Sequence, residues 1–177
     1  FLRGNAATLD GGCLAVAGPV ADDGRSARIT NLPWIIDAAR LERPFAIAPG
    51  RLRLVNDFAG AAMGVTALAP HELVTLQPGE PLAAGVKLVV GAGTGLGMAV
   101  LVADNGAWRV LPSEGGHVGF APADEAQARV RAALMQEHGR VTCERVVSGP
   151  GLAAIHRILA GEAIDAAAVS ERALAGD

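Results

Sequence analysis

Residues 91–97, GAGTGLG, restrict the fold more than any other stretch. Four glycines in seven positions disfavour a helix. The runs on either side, 86–90 (VKLVV) and 98–102 (MAVLV), are apolar and rich in β-branched residues. The expected arrangement is therefore strand, glycine turn, strand. A dinucleotide fingerprint needs Gly or Ala at its sixth position and then a helix. Here the sixth residue is Leu96 counting from Gly91 and Met98 counting from Gly93, and a strand-like run follows. A Walker loop ends in Gly-Lys-Ser/Thr. Lys87, the only lysine, precedes the glycines and cannot serve. A glycine hairpin remains. Its amides can converge on an anion with no β-carbon in the way, and Thr94 adds a hydroxyl. The plain alternative is an ordinary β-turn.

The rest of the chain reads as α/β with antiparallel elements. Short strands are expected at 13–17, 28–30, 51–55 and from 109. Helices are expected at 35–43, 58–68, 124–138 (with Val130, Ala133 and Leu134 inward and Gly139 as cap), 151–159 and 165–174. Residues 67–72 (ALAPHE) are the expected boundary between domains.

Several polar residues stand at element ends. Asn56-Asp57 follows the strand 51–55 and precedes a helix. This is a position for a helix cap or for a carboxylate at the mouth of a site. Glu114 and His117 share the segment EGGH. Their spacing would suit two metal ligands on a helix, but the two glycines argue against a helix and so against a metal site. A glycine-rich loop carrying Glu and His suits hydrogen bonding to a polar ligand, or is a solvated turn. Glu144, before Val146-Val147 and SGPG, reads in isolation as a surface carboxylate. No Gly-x-Ser-x-Gly elbow is present, so a serine hydrolase of that type is excluded.

Composition narrows the class further. A net charge of −3 gives no general attraction to nucleic acid or to an anionic membrane. Cys13 and Cys143 form no CxxC pair, which leaves neither a zinc signature nor a disulfide framework. No apolar run reaches the length of a membrane span. The expected setting is cytoplasmic.

In combination, CLAVAGPV, ITNLPW, LVNDF, GAGTGLG, LPSEGGHVGFAP, ERVVSGPGL and SERALA resemble the bacterial glucokinase family, within the sugar kinase/actin/Hsp70 fold group. Glu114 lies 57 residues after Asp57, and Glu144 lies 30 residues after Glu114. The order and separations are similar to the family's, over nearly the whole chain. The absence of a cysteine cluster points to its zinc-free branch. The resemblance implies a two-lobed actin-like ATPase fold, of ribonuclease H-like α/β type. An incomplete central portion of that fold is expected, with residues 1–67 in the small domain and 68–177 in the large one. It implies ATP-dependent phosphorylation of glucose at the 6-hydroxyl, with Mg²⁺. The alternatives are another hexose, such as mannose or an amino sugar, or a sugar-binding regulator without catalysis. Asp57 matches the catalytic base, and Asn56, Glu114, His117 and Glu144 match sugar contacts. Asn31, in TNLPW, is placed near the sugar. Gly91, Gly93, Thr94 and Gly95 match a phosphate-binding loop. No resident metal ligand is expected, and a homodimer is plausible for the family. The family's Asp-x-Gly-Gly-Thr loop and its adenosine-packing glycine motif are absent from 1–177, which implies that these residues by themselves make a poor or inactive kinase.

Overall fold

The computed structural model describes residues 9–30 and 32–176. Asn31 lies outside the described residues. The chain divides into two compact units, residues 1–87 with 101–112 and residues 88–100 with 113–177.

In the first unit, β1 (Gly12–Val16) and β4 (Leu52–Asn56) form a parallel pair, in register from Gly12 opposite Leu52 to Val16 opposite Asn56. Between them the chain forms an antiparallel pair, β2 (Ser26–Arg28) and β3 (Ile35–Asp37), and a short helix, α1 (Ala38–Glu42). Helix α2 (Asp57–Val65) starts directly where β4 ends. Val16, Ala27, Ala38, Ile47, Leu52 and Leu54 make the core. Alternation puts Leu52 and Leu54 inside while Arg51 and Arg53 stay exposed. Small Ala59 and Ala62 are the buried face of α2.

Two expectations need correction here. Residues 35–43 are not one helix. The β-branched pair Ile35-Ile36 extends as β3, and Asp37 starts the helix only at Ala38 by accepting from the amides of Ala39 (2.8 Å) and Arg40 (3.2 Å). The strand expected at 28–30 is Ser26–Arg28, with Ala27 rather than Ile29 fully buried.

A three-stranded sheet in the order β5–β6–β7 comprises β5 (Lys87–Ala92), β6 (Leu96–Asp104) and β7 (Ala107–Ser113). The β6–β7 turn has Asn105 and Gly106 at φ 48° and 81°, left-handed positions that these residue types tolerate. The ammonium of Lys87 sits 4.2 Å from the centre of the Trp108 ring, a cation–π contact that accounts for the sole lysine.

The second unit carries three helices: α3 (Glu125–His138), α4 (Gly149–Ala160) and α5 (Ala166–Ala175). Asp124, Ser148 and Asp165 cap their N-termini. Gly139, Gly161 and Gly176 end them at positive φ. Val130 and Leu134 of α3 pack with Val141 and Val146, against Phe120, Ala154, Ile155 and Ile158.

One buried ion pair organises the first unit. Glu42 is only 4% exposed. Its Oε1 accepts from the Arg25 guanidinium (2.7 Å) and from the amides of Gly50 (2.9 Å) and Leu52 (3.1 Å). The same Arg25 nitrogen donates to the Leu52 carbonyl (2.5 Å). The Arg25 hydrogen bond, opposed by desolvation and helped by the Leu52 amide, the Arg25 charge and the Gly50 amide, lowers the Glu42 carboxyl from 4.5 to about 2. The unfolded chain therefore takes up this proton at a higher pH than the native one. The resulting stability is complete above pH 4.5 and is lost as pH falls toward about 2. In urea titrations, Glu42→Gln is expected to unfold at lower denaturant than wild type at pH 7, and the gap should narrow as pH falls through that window. Equal midpoints at pH 7 would contradict this role.

Candidate functional site

In the second unit the glycine turn is narrower than its sequence suggests. β5 runs through Ala92 and β6 begins at Leu96, so only Gly93, Thr94 and Gly95 lie outside both strands. The Gly93 amide donates to the Gly95 carbonyl (2.8 Å) and closes the turn. The Gly93 carbonyl accepts from the Gly149 amide at the start of α4 (2.8 Å), which ties the turn to that helix. Thr94 is exposed at the tip.

The segment EGGHVGF comes to the same place by different contacts. Residues 115–117 form one 3₁₀ turn, with Glu114 just before it. The following residues run antiparallel to 141–143: Phe120 N donates to Val141 O (3.0 Å) and Cys143 N to Val118 O (2.9 Å). Arg140 donates to the His117 carbonyl (3.0 Å) and holds the loop from the other side. These bonds place the 3₁₀ turn Cys143–Arg145, and so Glu144, beside His117.

The side chains then form a line. His117 Nε2 lies 3.6 Å from Glu114 Oε2, and its Nδ1 lies 3.7 Å from Glu144 Oε1. Glu114 is the most exposed of the three, at 85% of its side chain, and Glu144 the least, at 33%. Glu144 Oε2 accepts from the Leu96 amide (2.9 Å). One carboxylate thus reaches the glycine turn with one oxygen and His117 with the other. The approach is close enough to require glycine at two positions. A β-carbon on Gly95 would lie 2.5 Å from Glu144 Oε2, and one on Gly116 would overlap the Leu96 carbonyl.

A cavity of about 110 Å³ opens between Thr94, Glu144, Arg145, Ser148, His138 and Leu134. It is well below the roughly 300 Å³ of an ordinary ligand pocket and suits waters rather than a sugar ring. The first α4 amides are engaged, Gly149 with Gly93 O and Gly151 with the Ser148 hydroxyl (3.1 Å).

The first unit contributes Asn56 and Asp57 at the β4–α2 junction. Asn56 is indeed the helix cap: its Oδ1 accepts from Phe58 N (3.0 Å) and Ala59 N (3.2 Å). Capping uses only the oxygen and leaves the amide nitrogen to donate elsewhere. Asp57 is exposed in the first turn of α2, where the peptide dipoles suit a carboxylate, and Oδ1 accepts from its neighbour Phe58 N (2.9 Å).

The structure thus groups Glu114, His117 and Glu144 with Gly93, Thr94 and Gly95 in one unit, and Asn56 with Asp57 in the other. Gly91 lies within β5 rather than in the turn. Three positioning contacts carried no sequence signal: the Leu96 amide on Glu144, the Arg140 bond to His117 and the Gly149 bond to Gly93. Among the described residues, no group of three or more His, Cys, Asp or Glu side chains could hold a metal ion, and no helix is long and apolar enough to cross a membrane.

A family profile described as glucokinase matches residues 1–177. The chain belongs to the glucokinase family. It is similar to the glucokinase of Trichormus variabilis, 40% identical over 149 residues that cover 83% of this chain and 42% of that one. It is also similar to that of Xanthomonas campestris pv. campestris, 40% identical over 177 residues that cover 94% and 52%. Among solved structures, a glucokinase from an Antarctic psychrotroph superposes with TM-score 0.77 at 34% identity, covering 93% of this chain and 52% of that chain. The Balamuthia mandrillaris glucokinase, solved in complex with glucose, superposes with TM-score 0.66 at 27% identity, covering 92% and 52%. The chain spans about half the length of the curated relatives it matches. Its mixed α/β architecture is correspondingly that of roughly half a glucokinase, an actin-like ATPase fold.

The contact at Gly116 gives a direct test of the site's packing. The atom in the way is backbone and cannot rotate aside. Gly116→Ala is expected to destabilise by about 1–3 kcal/mol, the usual range for overpacking. Thermal or denaturant unfolding would show this, and unchanged stability would mean that the EGGH loop does not lie against Leu96 as described.

Proposed function

We propose that the protein containing this chain transfers the γ-phosphoryl group of ATP to the 6-hydroxyl of glucose. The observation that carries the proposal is the Glu114–His117–Glu144 line joined to a glycine turn that lacks a Walker lysine, in a chain of the glucokinase family. Two carboxylates, one exposed and one partly buried, and an imidazole match hydroxyls, which both donate and accept. Left unpaired by a poorer analogue, such groups discriminate against it. The glucose complex of the Balamuthia relative supports glucose as the acceptor. The exposed Thr94 hydroxyl and the turn around it suit the phosphates of ATP, with Gly91 in the strand leading to them.

In this reading Asp57 is the general base. As the 6-oxygen forms its bond to the γ-phosphorus, the bond to the β–γ bridging oxygen breaks, ADP leaves, and Asp57 takes the hydroxyl proton. The Asn56 amide nitrogen, free of its capping duty, donates to a sugar hydroxyl. Asn31 belongs to the sugar site in the same proposal. The donor set among the described residues does not form a magnesium cage, so none of these residues is assigned to the metal and no step is routed through it. Residues 1–67 would belong to the smaller domain and 68–177 to the larger. A cytoplasmic setting and a homodimer fit the family and complete the proposal.

The test is a coupled ATP-consumption assay on the full-length protein with glucose, mannose and an amino sugar. Glucose is expected to give the highest kcat/KM. Asp57→Ala should lower kcat by about 10²–10⁴ with a small change in glucose KM, as expected for a lost general base. A near-wild-type kcat in that variant would remove Asp57 from the role. Glucose binding without ATP consumption would favour a sugar-binding regulator instead.

A further inference from the structure

Gly95 and Glu144 share one small volume. Glu144 Oε2 accepts from the Leu96 amide at 2.9 Å. A β-carbon on Gly95 would lie 2.5 Å from that oxygen and 3.3 Å from the Glu144 carboxyl carbon. A β-carbon on Gly93, two residues earlier in the same turn, would meet nothing within 4 Å. Neither glycine sits at a positive φ. The two positions are therefore alike in backbone demand and differ in what their side chain would touch. The far side of Glu144 is not free to move either, because Oε1 faces the His117 ring at 3.7 Å and the loop carrying His117 is fixed through Val118, Phe120 and Arg140.

We propose that Gly95 and the Leu96 amide are positioning residues for the sugar. The turn that holds phosphate also sets where the Glu144 carboxylate stands, so its geometry determines sugar affinity before any nucleotide is bound. The inference rests on the reading of Glu144 as a sugar contact and assigns Gly95 a duty that phosphate binding alone does not require. A methyl group at 95 drives Oε2 off the Leu96 amide, turns the carboxylate toward His117 and shifts the oxygen that would meet a hydroxyl. The same methyl at 93 leaves Glu144 where it is.

The experiment measures glucose dissociation constants by calorimetry, with no nucleotide present, on the full-length protein. Gly95→Ala is expected to weaken glucose binding by about tenfold or more, the scale of one lost charge-assisted hydrogen bond. Gly64→Ala, exposed in α2 with nothing within 4 Å of the added carbon, should change glucose affinity by less than about twofold. Adding Glu144→Asp to Gly95→Ala withdraws the carboxylate by one methylene. The double variant is expected to bind glucose at least as well as Gly95→Ala alone, although Glu144→Asp by itself weakens binding. An unchanged glucose constant in folded Gly95→Ala overturns the inference, as does equal weakening by Gly64→Ala. A Gly95→Ala protein that does not fold is covered by a second measurement on wild type. Glucose titrated into ¹⁵N-labelled protein should move the Leu96 amide resonance, and an unmoved Leu96 overturns the inference. If wild type binds no glucose at all, the reading of the site as a sugar kinase fails first, and the two failures are told apart by that control.

Discussion

The position of one carboxylate oxygen governs the second unit. Glu144 Oε2 on the Leu96 amide joins two loops far apart in sequence, the glycine turn and the 3₁₀ turn Cys143–Arg145. The approach is tight on both sides: a β-carbon at 95 would lie 2.5 Å from that oxygen, and one at 116 would overlap the Leu96 carbonyl. The polar contacts around this bond form one connected set. The turn is pinned to α4 through Gly93 and Gly149, EGGH is pinned to 140–143, and His117 is left between two carboxylates. Glycine here serves close approach more than backbone freedom.

The first unit solves a different problem with the same means. There the five-residue strand pair β1–β4, with Val16, Leu52 and Leu54 in the core, ends at Asn56, just before Asp57. The Arg25–Glu42 pair adds a polar anchor by gripping both the amide and the carbonyl of Leu52, where β4 begins. A buried ion pair is seldom worth more than the apolar packing it replaces, but losing one partner leaves the other stranded. Its value lies in fixing the strand's start. At the other end, Asn56 caps α2 with its side-chain oxygen alone. Capping and binding read as alternatives in the sequence, yet the cap occupies only one of the two polar atoms of the side chain.

How much was legible follows from how local each signal is. Asp37 shows why 35–43 was misread: the β-branched pair before it and the cap it provides both act over three residues, within a pattern that looked helical over nine. The helix at 125–138 was readable because its periodicity and its glycine cap agree with its packing. Glu144 is the instructive case. Alone it looked like a surface residue, and only the combination of segments marked it. Its partner is a backbone amide 48 positions away, which no side-chain pattern encodes. Glu42 was missed for the same reason, since two of its three partners are backbone amides. Motifs single out the candidate residues, and long-range backbone bonds decide where Glu144 and His117 stand.

The central claim is that these residues serve phosphoryl transfer to a hexose. It is tested most directly by ³¹P NMR of the full-length protein incubated with ATP, Mg²⁺ and glucose. The account predicts that the γ-phosphate signal is replaced by equal amounts of ADP and glucose 6-phosphate, with negligible ADP formed when glucose is left out. ADP accompanied by free inorganic phosphate and no sugar phosphate, or no loss of ATP at all, would contradict it.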